Sequence, residues 1–189
     1  QKSTTKLLDF FLHHADNVFI IEALIRPLKV GRSAAFRALR QLEHDSFIRI
    51  SQNGKQKQVR FIPSKENFSL KLFFDQIHFQ SLSKEIKLAV ALLISQVNLP
   101  LSIVLFGSAP LKPSPQDLDV LIFSSGETDK TALKKIKEEV ENICGQSINL
   151  HFTASPETEI LLNGICLYGY DFYLETLERR LDENRRRTK

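Results

Sequence analysis

The chain has 189 residues, 42% hydrophobic and 25% charged, enough to bury an ordinary core in one domain or two small ones. Its apolar runs fall well short of the ~20 residues of a membrane-spanning helix and no signal-peptide pattern opens it, so a cytoplasmic protein with no membrane partner is expected. The net charge is +4, with a pI near 9.1, but the charge is unevenly spread. Residues 1–60 hold eleven Lys or Arg against five Asp or Glu, an excess that suits a polyanionic partner. Cys144 and Cys166, one in a helical pattern and one in an apolar run, read as reduced, buried residues and not as metal ligands or a disulfide framework.

Residues 3–16 place Leu7, Leu8, Phe10, Phe11, Leu12 and Ala15 in an amphipathic helical pattern, with Ser3 or Thr4 as its cap. A second short helix is expected over 18–26, interrupted at 27–31, and a third over 32–44. In the third, Ala35, Ala38, Leu39 and Leu42 make an apolar stripe, while Arg32, Ser33, Phe36, Arg37 and Arg40 lie on another face. Two alternating runs then flank Asn53-Gly54, a strong short-range hairpin signal. Three helices followed by a hairpin resemble a winged helix-turn-helix domain, as found in many prokaryotic transcription regulators. That resemblance implies double-stranded DNA as partner, with Arg32, Ser33, Arg37 and Arg40 at bases or phosphates and Lys55, Lys57 and Arg60 as wing contacts. The alternatives are a solvated helix face or a winged helix that binds protein.

Residues 63–67 are polar and Pro-led and read as a boundary, giving three expected segments: 1–63, a helical connector over 64–98, and 99–189. The connector is rich in apolar residues (Leu70, Leu72, Phe73, Phe74, Ile77, Phe79, then Leu88, Ala89, Ala91, Leu92 and Ile94). So much aromatic bulk suggests packing between domains or a homodimer through the 68–97 helices.

Chemistry concentrates at 102–123, SIVLFGSAPLKPSPQDLDVLIF. An apolar run ends at Gly107-Ser108, and a second is entered through Asp117-Leu118-Asp119. Alternation along a strand puts Asp117 and Asp119 on one face. Two adjacent carboxylates repel, and Mg²⁺, which takes one or two carboxylates plus substrate phosphates, is the usual remedy. Gly107 allows close approach of backbone to phosphate, and Ser108 adds a hydroxyl.

Strand, Gly-Ser, loop and Asp-x-Asp at the next strand resemble the DNA polymerase beta-like nucleotidyltransferases, in particular their minimal branch. The resemblance extends over roughly residues 86–170, closing on Gly164-Ile165-Cys166-Leu167-Tyr168-Gly169. It implies Asp117 and Asp119 as catalytic metal ligands, Gly107 and Ser108 as nucleotide-binding residues, and Mg²⁺ with a nucleoside triphosphate as cofactors. This sequence departs from the pattern in three ways. The loop 109–116 is short and lacks the Arg-Gly of many members, Gln116 replaces a common Ser, and the third strand, 147–153, offers Asn149 and His151 where the family has a third carboxylate. Asn149 is then a weakened third metal ligand. A last helix is expected over 171–187, ending in the basic cluster of Arg185, Arg186, Arg187 and Lys189.

The expected fold is α+β: a winged helix-turn-helix domain followed by a nucleotidyltransferase-like domain with a small mixed sheet. The missing carboxylate favours a DNA-binding regulator with an attenuated or inactive nucleotidyltransferase-like domain. The alternative is an active Mg²⁺-dependent nucleotidyltransferase, an antitoxin-type AMP transferase with a toxin partner among its forms, whose winged helix recruits substrate or DNA.

Overall fold

The computed structural model describes residues 2–97, 101–112, 115–124, 126 and 128–187, so Lys189 and part of the loop after Gly107-Ser108 lie outside the described residues. The fold is mixed α+β, with eight helices and two sheets among the described residues. Contacts divide the chain into two units. One comprises the residues up to Lys71 together with those from Glu178 onward, and the other is Leu72–Leu177. None of the described helices is long and apolar enough to cross a membrane.

The first unit begins with α1 (Lys2–His13), which buries Leu7, Phe11 and Leu12. Ser3 and Thr4, expected as caps, lie inside its first turn. Residues 18–20 depart from the expected helix. Val18–Ile20 forms β1, antiparallel to β3 (Gln56–Phe61) with Val18 opposite Arg60 and Ile20 opposite Gln58. Val-Phe-Ile is strand-prone, and the open edge of β3 offers its backbone the ladder partners that a helical turn would otherwise have to supply. The expected second helix shrinks to α2 (Ile21–Ile25).

The third helix, α3 (Arg32–His44), has the expected bounds and buries Ala35, Ala38, Leu39 and Leu42. The hairpin pairs β2 (Ile48–Asn53) with β3. Asn53 is opposite Gln56, so the two-residue turn is Gly54-Lys55, one position later than Asn53-Gly54, with Gly54 at φ +58° in the first central position. The strand order is β1-β3-β2.

The Pro-led stretch after the hairpin is ordered. Ser64 Oγ accepts from the Asn67 amide at 3.1 Å, as a cap does for α4 (Lys65–Ser81), and Asn67 Nδ2 donates to Ile62 O at 2.8 Å and Ser46 O at 3.1 Å. Phe68 packs against Phe61 with the rings tilted and their centroids 5.3 Å apart, so the first turn of α4 belongs to the first unit's core. The division falls within α4, between Lys71 and Leu72.

In the second unit α5 (Lys84–Ser95) is capped by Ser83, whose Oγ accepts from Ile86 N. The sheet follows in the order β6 (Ser147–Thr153), β5 (Asp117–Ser124), β4 (Leu101–Phe106), β7 (Ile165–Tyr168). β5 and β6 run parallel; β4 is antiparallel to β5 and to β7. One face carries Ile103, Leu105, Leu118, Val120, Ile122 and Ile148, buried with Ile86, Ala89, Val90 and Leu93 of α5 and with Leu133 and Val140 of α6 (Lys130–Cys144). At the start of α6, Asp129 Oδ1 accepts from Thr131 N and Ala132 N, and Gly145, at φ +66°, closes its end.

On the opposite face Phe123 meets Phe172 of α8 (Tyr170–Arg187) at 5.6 Å. Tyr173, fully buried, donates its hydroxyl to Leu161 O at 2.6 Å, and burial pushes its phenol well above the ordinary range, so it remains a donor. α7 (Thr158–Asn163) takes Glu157 at its N-cap position. Ser155, before it, turns its amide onto Thr153 Oγ1. The connector's bulk is divided: Phe68 and Phe74 are buried, while Phe73, Ile77 and Leu88 are exposed.

Candidate functional site

The parallel register of β5 and β6 decides which side chains meet. Leu118 and Val120 are buried under α5 and α6, so Asp117 and Asp119 stand on the other face, half-buried. Asp119 is opposite Asn149 and Leu121 opposite His151. Asn149 Nδ2 donates to both carboxylates, at 3.0 Å to Asp117 Oδ2 and 3.2 Å to Asp119 Oδ1. His151 Nε2 is 3.6 Å from the same Asp119 oxygen, and its ring sits edge-on to Phe106 at 5.1 Å. Phe106 is the register partner of Asp119 on β4. Its role as the wall behind His151 had no signal in the sequence beyond its position beside the Gly-Ser turn.

Gly107 follows Phe106 with φ +70°, and a Cβ there would run into Asp119 Oδ2. The turn therefore passes close over the carboxylate, which only glycine permits. Ser108 is half-buried. Its carbonyl accepts from Leu111 N and Lys112 N, both at 3.1 Å, making one helical turn after the glycine. The structure thus brings together Gly107, Ser108, Asp117, Asp119 and Asn149, five positions that lie up to 42 residues apart in the chain.

The residue types fit one hard cation better than two. Asp117 and Asp119 supply carboxylate oxygens, and Asn149 carries an amide whose two ends are chemically distinct. As placed, its NH₂ bridges the carboxylates, the orientation that suits two anions with no cation between them. Turned by half a rotation, the same side chain would present Oδ1 as a neutral oxygen ligand of the kind Mg²⁺ and Ca²⁺ accept. No group of three His, Cys, Asp or Glu able to hold a metal exists among the described residues, so phosphate oxygens and water would have to complete an octahedral shell.

The residues expected to meet DNA separate into groups. Arg32, Ser33, Arg37 and Arg40 are all exposed on α3; Ser33, Arg37 and Arg40 lie on the arc away from its buried stripe, while Arg32 stands two turns before Leu39 and in line with it, its guanidinium 5.9 Å over the Phe36 ring. Lys55 and Lys57 are exposed at the hairpin tip. Arg60 is not with them. It lies at the base of β3, opposite Arg49 on one side and Val18 on the other, and by alternation on the face away from Lys57, Val59 and Phe61.

No protein-family model matches the chain, and no curated protein matches it. Among solved structures it is similar to a mutant of the MntA–HpeT toxin–antitoxin pair, at 17% identity over 56% of this chain and 89% of that one, with a TM-score of 0.42. It is also similar to a tri-AMPylated Shewanella oneidensis HEPN toxin in complex with MNT antitoxin (18% identity, 60% and 88% coverage, TM-score 0.39). A toxin–antitoxin with AMP-PNP gives 18% identity, 56% and 90% coverage and a TM-score of 0.41. At these values the likeness carries no functional conclusion.

Proposed function

We propose that the Leu72–Leu177 unit is a nucleotidyltransferase-type domain that binds a nucleoside triphosphate together with Mg²⁺ and transfers its nucleotidyl group. The observation that carries this reading is the convergence of Asp117, Asp119 and Asn149 across the β5–β6 register, directly beneath the Gly107 turn. Asn149 lacks a charge but keeps an oxygen, so the departure from a third carboxylate weakens the site without removing it. The reading that the missing carboxylate places second therefore comes first.

The roles follow from position. Gly107 lets the main chain pass close to a phosphate, Ser108 offers its hydroxyl, and Asp117, Asp119 and the Asn149 carbonyl oxygen would hold the cation. When bound, Mg²⁺ would neutralise charge on the phosphates as the bond to the leaving pyrophosphate breaks. The acceptor is a small molecule, a nucleic acid end or a protein. In the last case the domain would be an antitoxin-type AMP transferase acting on a toxin partner.

The test is calorimetric titration with ATP, with and without Mg²⁺. Wild-type protein should bind ATP only with Mg²⁺, and Asp119→Asn should weaken that binding at least as much as losing an outer-shell partner of a metal does, about 10–100-fold. Binding that ignores both Mg²⁺ and the substitution would overturn the reading.

A second reading concerns the first unit and rests on the exposed arginine arc of α3. Ser33, Arg37 and Arg40 on one exposed arc, with Arg32 at the helix start, suit a polyanion, and the acidic Glu43, three residues after Arg40, is engaged by the Ile50 amide. The element order α1-β1-α2-α3-β2-β3, with β1 paired to β3, is compatible with a winged helix presenting α3 to a DNA groove. Arg37→Gln with Arg40→Gln should lower duplex affinity and flatten the dependence of log K on log salt by about two charges' worth. An unchanged slope with unchanged affinity would refute DNA binding through α3.

A further inference from the structure

The sheet of the first unit carries an arrangement that neither reading uses. Arg49 and Arg60 are directly opposite one another in the β2–β3 register, both exposed, while Ile48, Val59 and Phe61 between and beside them are buried. The two guanidinium groups therefore leave the same outer face of the sheet. Like charges placed directly opposite destabilise a strand pair. Among the described residues neither arginine has a carboxylate within ion-pair distance.

A third guanidinium joins them from a distant part of the chain. Arg185 of α8 belongs to the same unit, and its Nη2 reaches Phe61 O, the residue after Arg60, at 3.5 Å. Burial first, and the charge of Arg60 second, hold the Arg185 guanidinium below its ordinary range, while Asp182 acts in the opposite direction. Three cations thus gather around the end of β3, with Asp182 beside the third.

We propose that Arg49, Arg60 and Arg185 form a phosphate-binding site on the outer face of the β1-β3-β2 sheet, separate from the arginine arc of α3. A phosphate group suits this arrangement better than a carboxylate. It offers three oxygens and up to two charges to three forked donors, and Arg pairs with it bidentately. It also removes the Arg49–Arg60 repulsion that the empty sheet must tolerate. The phosphate belongs either to a free phosphorylated compound or to a nucleic acid backbone, and the two sources present the same chemistry to the arginines.

The experiment is thermal unfolding of the full chain in EDTA, with pyrophosphate replacing chloride at matched ionic strength. The wild-type Tm should rise as pyrophosphate is added, by mass action on the folded state. Arg49→Gln/Arg60→Gln should abolish that rise and, in chloride alone, unfold at or slightly above the wild-type temperature, because the repulsion is gone. Arg37→Gln/Arg40→Gln and Asp119→Asn should keep the rise, which separates this site from α3 and from the carboxylate edge. Arg185→Gln should reduce the rise without removing it. An equal rise in wild type and Arg49→Gln/Arg60→Gln, or no rise in wild type, overturns the proposal. A second arm measures duplex oligonucleotide binding against salt. A slope reduced by about two in Arg49→Gln/Arg60→Gln identifies a nucleic acid backbone as the source, and an unchanged slope, with the pyrophosphate effect lost, identifies a free phosphorylated compound.

Discussion

Gly169→Ala should destabilise the protein by about 3 kcal/mol, the sum of a left-handed backbone penalty and an overpacking penalty. Gly169 has φ +70°, and a Cβ there would meet the Leu101 carbonyl oxygen, with Leu101 C and Ser102 Oγ each at 2.9 Å. The neighbours that would have to yield include main chain, which cannot swing away as a side chain can. The glycine carbonyl is also fixed, accepting from Ser102 Oγ at 2.7 Å and from Tyr173 N at 3.0 Å. Gly145 is the internal control. It has nearly the same φ, +66°, but nothing within 4 Å of an added Cβ, so Gly145→Ala should cost only the conformational part, about 1 kcal/mol. Urea unfolding of both variants measures the difference, read as a shift in midpoint at constant slope. Equal losses for the two would mean that the close approach at Gly169 relaxes freely. The effect should also reach the carboxylate edge, because Leu101 begins the strand that ends at Phe106 beside Asp119.

This dependence on contact explains what was legible in the sequence. The α3 stripe, the Gly-Ser turn and the Asp117/Asp119 alternation are local, fixed by a period of 3.6 or 2 within a dozen residues, and each appears where its period puts it. Val18–Ile20 failed as a helix because its partner, β3, lies some forty residues later and no local pattern announces the pairing. Sequence proximity groups Arg60 with Lys55 and Lys57, yet strand alternation and the Arg49 register place it elsewhere. The role of Arg185 required α8 to return to the first unit, a property of the tertiary fold alone. At the candidate site the sequence named Asn149 as a missing charge. Its geometry adds that the amide is a donor to both carboxylates, which only the β5–β6 register could reveal.

That donor makes Asn149→Asp the most informative change at the carboxylate edge. Without a divalent cation the substitution removes two hydrogen bonds to charged acceptors and adds a third negative charge beside Asp117 and Asp119. Both effects lower stability, by about 1–2 kcal/mol after discounting for the exposure of this edge. Adding Mg²⁺ should restore the loss, since three carboxylates hold the cation more tightly than two and the folded state gains whatever the cation binds. The same variant should raise Mg²⁺-dependent pyrophosphate release from ATP by about 100-fold, the scale of a well-placed group in proton or charge transfer. Asn149→Leu provides the contrast. It removes donor and oxygen together, so it should lose cation-free stability without any rescue by Mg²⁺. Thermal unfolding with and without Mg²⁺, run beside the pyrophosphate assay, distinguishes the outcomes. If Asn149→Asp and Asn149→Leu respond alike to Mg²⁺, the amide does not line a cation site, and its two hydrogen bonds serve only to hold β6 against β5.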